Sequence, residues 1–120
     1  MPDSEHVATL SGPISEIKAQ LFKALAHPAR IRALEVLSQG EHSVGDMQPL
    51  VGIEASHLSQ QLGVLRRAGL VRTRKEGSSV IYSLADDEII DLLAVSKRIL
   101  LASLSSNQDL LADLRAAVGQ

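Results

Sequence analysis

Between Ser43 and Gly69 two short helical patterns follow one another with almost no connecting chain. Ser43 with Asp46 three residues on has the makings of a capping box, since an N-cap hydroxyl takes up an orphan N–H of the first turn. Pro49 lacks a donor and should shorten or kink that helix, and Gly52 should end it. From about Ala55 to Ala68, Leu58, Leu62 and Leu65 recur on one face, with Gly69 placed to close the helix. Two helices joined by so short a turn must cross at a steep angle, which predicts a helix-turn-helix.

The flanking chain fits around that unit. Ile14, Ile17, Leu21, Phe22 and Leu25 recur at three- and four-residue spacing from Pro13, a residue suited to a first helical turn. Pro28 interrupts the pattern, because the residue before a proline is pushed out of helical geometry. Ile31, Leu34, Val36 and Leu37 resume it until Gly40, available as a left-handed cap. After Leu70-Val71 the period changes to two. Arg72-Thr73-Arg74-Lys75, Glu76-Gly77-Ser78-Ser79 and Val80-Ile81-Tyr82-Ser83-Leu84 predict a β-hairpin turning at Gly77. Asp86-Asp87-Glu88 marks a helix start, with carboxylates near the positive end of the helix dipole. Ile89, Leu92, Leu93, Val95, Ile99, Leu100 and Leu104 predict a long helix. Ser106 with Asp109 predicts a further cap opening a separate last helix with Leu110, Leu111, Leu114 and Val118. Residues 1–12 are expected to be a flexible tail, 13–104 a winged helix-turn-helix domain and 105–120 a helical extension. The expected class is mainly α with a small β-hairpin.

Composition narrows the chemistry. The 120 residues are enough for one domain and leave no room for a separate catalytic lobe. Phe22 and Tyr82 are the only aromatics, so the core must be built from Leu, Ile, Val and Ala. With no cysteine, disulfides, thiolate metal sites and thiol redox switches are excluded. No apolar run approaches a membrane span, and Met1-Pro2-Asp3-Ser4-Glu5-His6 does not read as a signal peptide, so a cytoplasmic location is expected. Enzyme motifs are missing as well: there is no phosphate-cradling glycine loop, no G-x-S-x-G and no HExxH. Ser59 and His57, two apart on one helix, face different directions. The expectation is a non-enzyme that needs no cofactor.

Three stretches together carry a family resemblance: Leu25-Ala26-His27-Pro28-Ala29-Arg30-Ile31-Arg32-Ala33-Leu34, Ser59-Gln60-Gln61-Leu62-Gly63-Val64-Leu65-Arg66-Arg67-Ala68-Gly69-Leu70-Val71, and Glu76-Gly77 with Val80-Ile81-Tyr82-Ser83-Leu84. Over residues 14 to 104 the chain resembles the ArsR/SmtB family of bacterial winged-helix repressors. The resemblance implies a homodimer, paired through its N- and C-terminal helices, that binds a palindromic operator in double-stranded DNA. Family members usually carry a histidine where this chain has Gln61, a difference that bears on which operator is read.

A helix lying in the major groove reads base edges from its N-terminal half, while flanking basic and hydroxyl groups grip phosphates. The expected base contacts are Ser56, His57 and Gln60, with Gln61 in a mixed role. The expected phosphate contacts are Ser59, Arg66, Arg72, Arg74 and Lys75, with Ser78 at the hairpin tip. Charge follows the same division: residues 54–84 hold five basic and two acidic side chains, a balance of +3, whereas residues 85–120 hold three and six, a balance of −3. The dimer interface is expected at Ile14, Ile17, Leu21, Ile89, Leu92, Leu93, Ile99, Leu100 and Leu104, with residues 105–120 enlarging it.

The family is best known for metal sensing, so the implied ligand positions matter. The cysteine site of the third helix corresponds to His42-Ser43-Val44-Gly45-Asp46-Met47, which contains no thiolate. The last-helix site corresponds to Asp86 and Glu88 plus Ile99 and Ala102, and the latter two cannot bind a metal. No metal site is therefore expected at either place. Two alternatives stay open: a metal-responsive repressor using Asp3, Glu5 and His6 with His42 or Asp46, and a winged-helix module whose basic face meets an acidic protein. An effector, as a small organic ligand, is left unassigned.

Overall fold

The computed structural model describes residues 13–118, and the tail at 1–12, with the metal alternative at Asp3, Glu5 and His6, lies outside them. The described chain forms α1 (Pro13–Leu25), α2 (Pro28–Ser38), β1 (His42–Ser43), α3 (Val44–Val51), α4 (Ala55–Arg67), β2 (Val71–Glu76), β3 (Ser79–Leu84) and α5 (Glu88–Val118). It divides into two compact units, residues 13–87 and the helix from Glu88 onward.

In the first unit each boundary has a local cause. His27 stands at the N-cap of α2 with extended backbone, and its Nδ1 accepts the Ala29 N–H at 3.0 Å, which leaves Pro28 at the first helical position. Ser43 caps α3 by accepting the Asp46 N–H at 3.2 Å. Pro49 does not break α3, which runs to Val51 and ends at Gly52. Eight residues leave few intrahelical bonds for a proline to remove. The closure of α4 requires a glycine: Gly69 adopts φ +78, its N–H bonds to Arg66 O (3.0 Å), and the Leu70 N–H reaches back to Leu65 O (2.9 Å). This Schellman arrangement turns Leu70 and Val71 into the core and launches β2.

The strands pair β1–β3–β2, all antiparallel. The predicted hairpin is present, with Glu76 opposite Ser79 and a two-residue loop of Gly77 and Ser78. Gly77 has φ +63 and Ser78, like every other described non-glycine residue, does not have positive φ, the pattern of a II′ turn whose twist matches the strands. The third strand, β1, was not expected. Two residues are too few for an alternation signal, and pairing of His42 with Tyr82 and Ser43 with Ile81 creates it.

The core is aliphatic, as the composition required. Ala33, Leu34, Met47, Leu58, Leu62 and Leu65 are wholly buried, and Ala24, Leu25, Ala29, Leu37, Val51, Leu70 and Val71 are buried with them. Phe22 is 57% exposed and Tyr82 half-buried, so neither aromatic anchors the interior.

The second unit corrects one expectation. No separate last helix begins at Ser106; α5 is one continuous helix of 31 residues, about 46 Å long at 1.5 Å per residue. Neither proline nor glycine occurs between 88 and 118, and Ser106 and Asn107, although they favour caps, cost too little inside a helix to interrupt one. The helix opens at Glu88, with Asp86 and Asp87 just before it.

Candidate nucleic-acid interface

Burial fixes the rotation of α4. Leu58, Leu62 and Leu65 all turn into the core, so the opposite side of the cylinder must face out. At 3.6 residues per turn that side carries Ser56, Gln60, Gly63 and Arg67 in one line. Ser56, Gln60 and Arg67 are exposed, and Ser59 and Arg66 are exposed on its flank. Gln61 is half-buried on the other flank. Glu54 occupies the N-cap without a side-chain hydrogen bond, so its carboxylate does not cover the first-turn amides.

One contact anchors each helix of the helix-turn-helix to α2. The exposed ring of His57 lies edge-on to that of His27, with centroids 6.2 Å apart and planes at 89°. His27 is itself the cap of α2, so His57 ties the start of α4 to the start of α2. Arg32 Nε donates to the Val51 carbonyl oxygen at 3.0 Å, tying α2 to the last turn of α3. The helix-turn-helix is thus pinned from behind at both of its helices.

The hairpin divides the basic residues by face. Along β2 side chains alternate, so Arg72, Arg74 and Glu76 share one face while Thr73 and Lys75 share the other. Arg72, Lys75 and Ser78 are exposed, Ser78 in the turn itself. Arg74 is engaged within the protein: one guanidinium nitrogen lies 2.9 Å from Glu41 and the other 2.7 Å from Glu76. The group of three carries −1, not the +1 that a basic residue suggests in sequence. Glu41 is 33 residues from Arg74 and only the β1–β3–β2 order brings it there.

Sequence reasoning missed three residues here. Arg67 was detectable, because it keeps helical phase with Ser56 and Gln60. Glu41 and Arg32 carried no such signal, since their roles follow from contacts distant in sequence.

The expected interface residues are placed as follows. On α1, Ile14 and Ile17 are 46% and 64% exposed and Leu21 is half-buried. On α5, Ile89 is buried and has little surface left to cover, while Leu92 and Leu93 are half-buried. Ile99, Leu100 and Leu104 are more than half exposed, as is Leu110, and Leu111 and Leu114 are nearly as open.

Among the described residues no three His, Asp or Glu side chains come together as ligands. At the positions implied for the last-helix site, Ile99 and Ala102 supply no donor atom, so the residues do not fit that metal. His42 Nδ1 donates to the Gly40 carbonyl oxygen at 2.7 Å. No helix among the described residues is long and apolar enough to cross a membrane.

Residues 27–73 match the family model described as bacterial regulatory protein, arsR family. An uncharacterized HTH-type transcriptional regulator of Mycobacterium tuberculosis, Rv0081, is 52% identical over 107 residues, 88% of this chain and 94% of the relative. Its crystal structure matches with a TM-score of 0.75, covering 81% of this chain and 98% of that one. A biofilm growth-associated repressor of Agrobacterium fabrum is 49% identical over 75 residues, 62% of this chain and 64% of the relative. The solution structure of a homodimeric winged helix-turn-helix DNA-binding domain, Mb0332 of Mycobacterium bovis, matches with a TM-score of 0.67 and 30% identity, covering 72% of this chain and 81% of that one.

Proposed function

This chain belongs to the arsR family of bacterial regulatory proteins, and from that premise we propose that it is a homodimeric transcriptional repressor reading a palindromic operator in double-stranded DNA. The observation that carries the reading is the outward side of α4. A rigidly seated helix presents amide and hydroxyl groups, which suit base edges, over a core that holds its rotation fixed.

In this reading Ser56, His57 and Gln60 contact base edges, with Gln60 able to pair bidentately with adenine. Ser59, Arg66, Arg72, Lys75 and Ser78 contact phosphate or sugar, and Gln61 does either. Arg74 reaches phosphate after leaving its two carboxylates. The apolar surface of α5, with Ile14, Ile17 and Leu21 of α1, pairs two copies about a two-fold axis, and residues 105–118 lengthen that contact. The homodimeric state of Mb0332 supports this assembly. Two-fold pairing sets two reading helices about 34–36 Å apart, one turn of B-form duplex. The protein acts in the cytoplasm, and its role is binding, not catalysis.

Footprinting on the DNA just upstream of its own reading frame tests the proposal. A protected palindrome is expected. Gln60→Ala should relax preference at one base pair by about 1–3 kcal/mol. Equal affinity for scrambled duplexes of matched length would refute sequence-specific reading.

A further inference from the structure

Gly63 sits in the interior of α4, where glycine weakens a helix relative to alanine, and its backbone gives no reason for it. Its φ is not positive. The three atoms nearest to a Cβ placed there all belong to the side chain of Arg67: one guanidinium nitrogen at 3.3 Å, the guanidinium carbon and a second nitrogen at 3.9 Å. Helical side chains lean toward the N-terminus, and Arg67 follows that lean until its planar head rests on the bare backbone of Gly63. The charge is thereby carried back one turn along the outward line, toward Gln60.

Arg67 differs from Arg74 in a second way. Among the described residues it forms no ion pair, whereas the wing arginine is held by two carboxylates. A guanidinium has donors and no acceptor, and an unpaired one held on the outward line of the reading helix, one turn back from its C-terminal end, suits a partner with two adjacent acceptors. In the major groove the guanine O6 and N7 edge is that partner. A phosphate-gripping arginine would sit on the flank, as Arg66 does.

We propose that Arg67, seated on Gly63, reads a guanine edge in the operator half-site and that Gly63 is the seat that aims it. This rests on the DNA-reading function proposed above and assigns one base pair of its specificity.

The test is selection of preferred sites from a random-sequence duplex library by the full chain and by Arg67→Ala, Arg67→Lys and Gly63→Ala, with affinities then measured on the wild-type site. Wild type is expected to fix a G·C pair at one position of each half-site. Arg67→Ala should leave that position unconstrained, retain the rest of the motif, and lose about 5- to 150-fold in affinity per half-site. Arg67→Lys, which keeps the charge without the fork, should relax the same position. Gly63→Ala should do so too while raising the melting temperature by a few degrees, since alanine favours the helix. That combination separates a mis-aimed arginine from a damaged fold. An unchanged motif with affinity lowered equally on all duplexes and a shallower salt slope would make Arg67 a phosphate contact and overturn the proposal, as would an unchanged Arg67→Ala. If wild type itself selects no motif, the DNA-reading function fails first.

Discussion

Removing two negative charges from the wing is expected to tighten DNA binding, although it deletes the ion pairs seen there. Arg74 is held by Glu41 and Glu76 at 2.9 and 2.7 Å, with all three side chains roughly half or more exposed. To reach a phosphate, the guanidinium must leave both. Exposed pairs are each worth about 0.2–1 kcal/mol. Taking the lowest value for two pairs on two wings of a dimer, the cost of release is about 0.8 kcal/mol, roughly a fourfold change in affinity. The carboxylates also repel a phosphate: at about 8 Å in water the term is near 0.5 kcal/mol, cut to about a third by salt at one Debye length. The double variant Glu41→Gln with Glu76→Gln should therefore bind operator duplex at least about fourfold more tightly, by fluorescence anisotropy at physiological salt. Its advantage should grow as salt falls, and Arg74→Gln in the same background should abolish it. Unchanged or weaker binding by the double variant, with its fold intact by circular dichroism, would show that Arg74 does not approach phosphate.

Two further outcomes follow from burial. Leu62→Ala, at a wholly buried position on α4, should lose about 2–5 kcal/mol of stability in urea denaturation, because the cavity forms where three helices meet. Leu100→Asp with Leu104→Asp, on exposed apolar positions of α5, should turn a dimer into a monomer by sedimentation and weaken operator binding while leaving α4 untouched. A monomeric wild type, or an unaffected variant, would remove α5 from the interface.

Much of the fold was legible because it is written in local signals. Ser43 caps, Pro28 breaks, Gly69 and Gly77 turn, and Leu58, Leu62 and Leu65 set a helical phase; each acts over a few residues, where backbone sterics and hydrogen bonding suffice. The exceptions are instructive. Ser106 and Asp109 look like a cap, but a permissive cap sequence does not stop a helix that nothing else interrupts. His57, one of the expected base contacts, meets the ring of His27 edge-on, and no spacing rule reveals that contact.

The sequence by itself determined the helix-turn-helix, the hairpin, the aliphatic core, most of the outward α4 residues and the family, but not β1, the unbroken length of α5 or Arg67. Tertiary structure alone decided which charges are available. Glu41 cancels Arg74 because β1 pairs with β3, and Arg67 stays free over Gly63 because no carboxylate among the described residues folds against it. Periodicity reports which side of an element is apolar, whereas the partner of a charge depends on which distant segments the chain brings within a few ångströms.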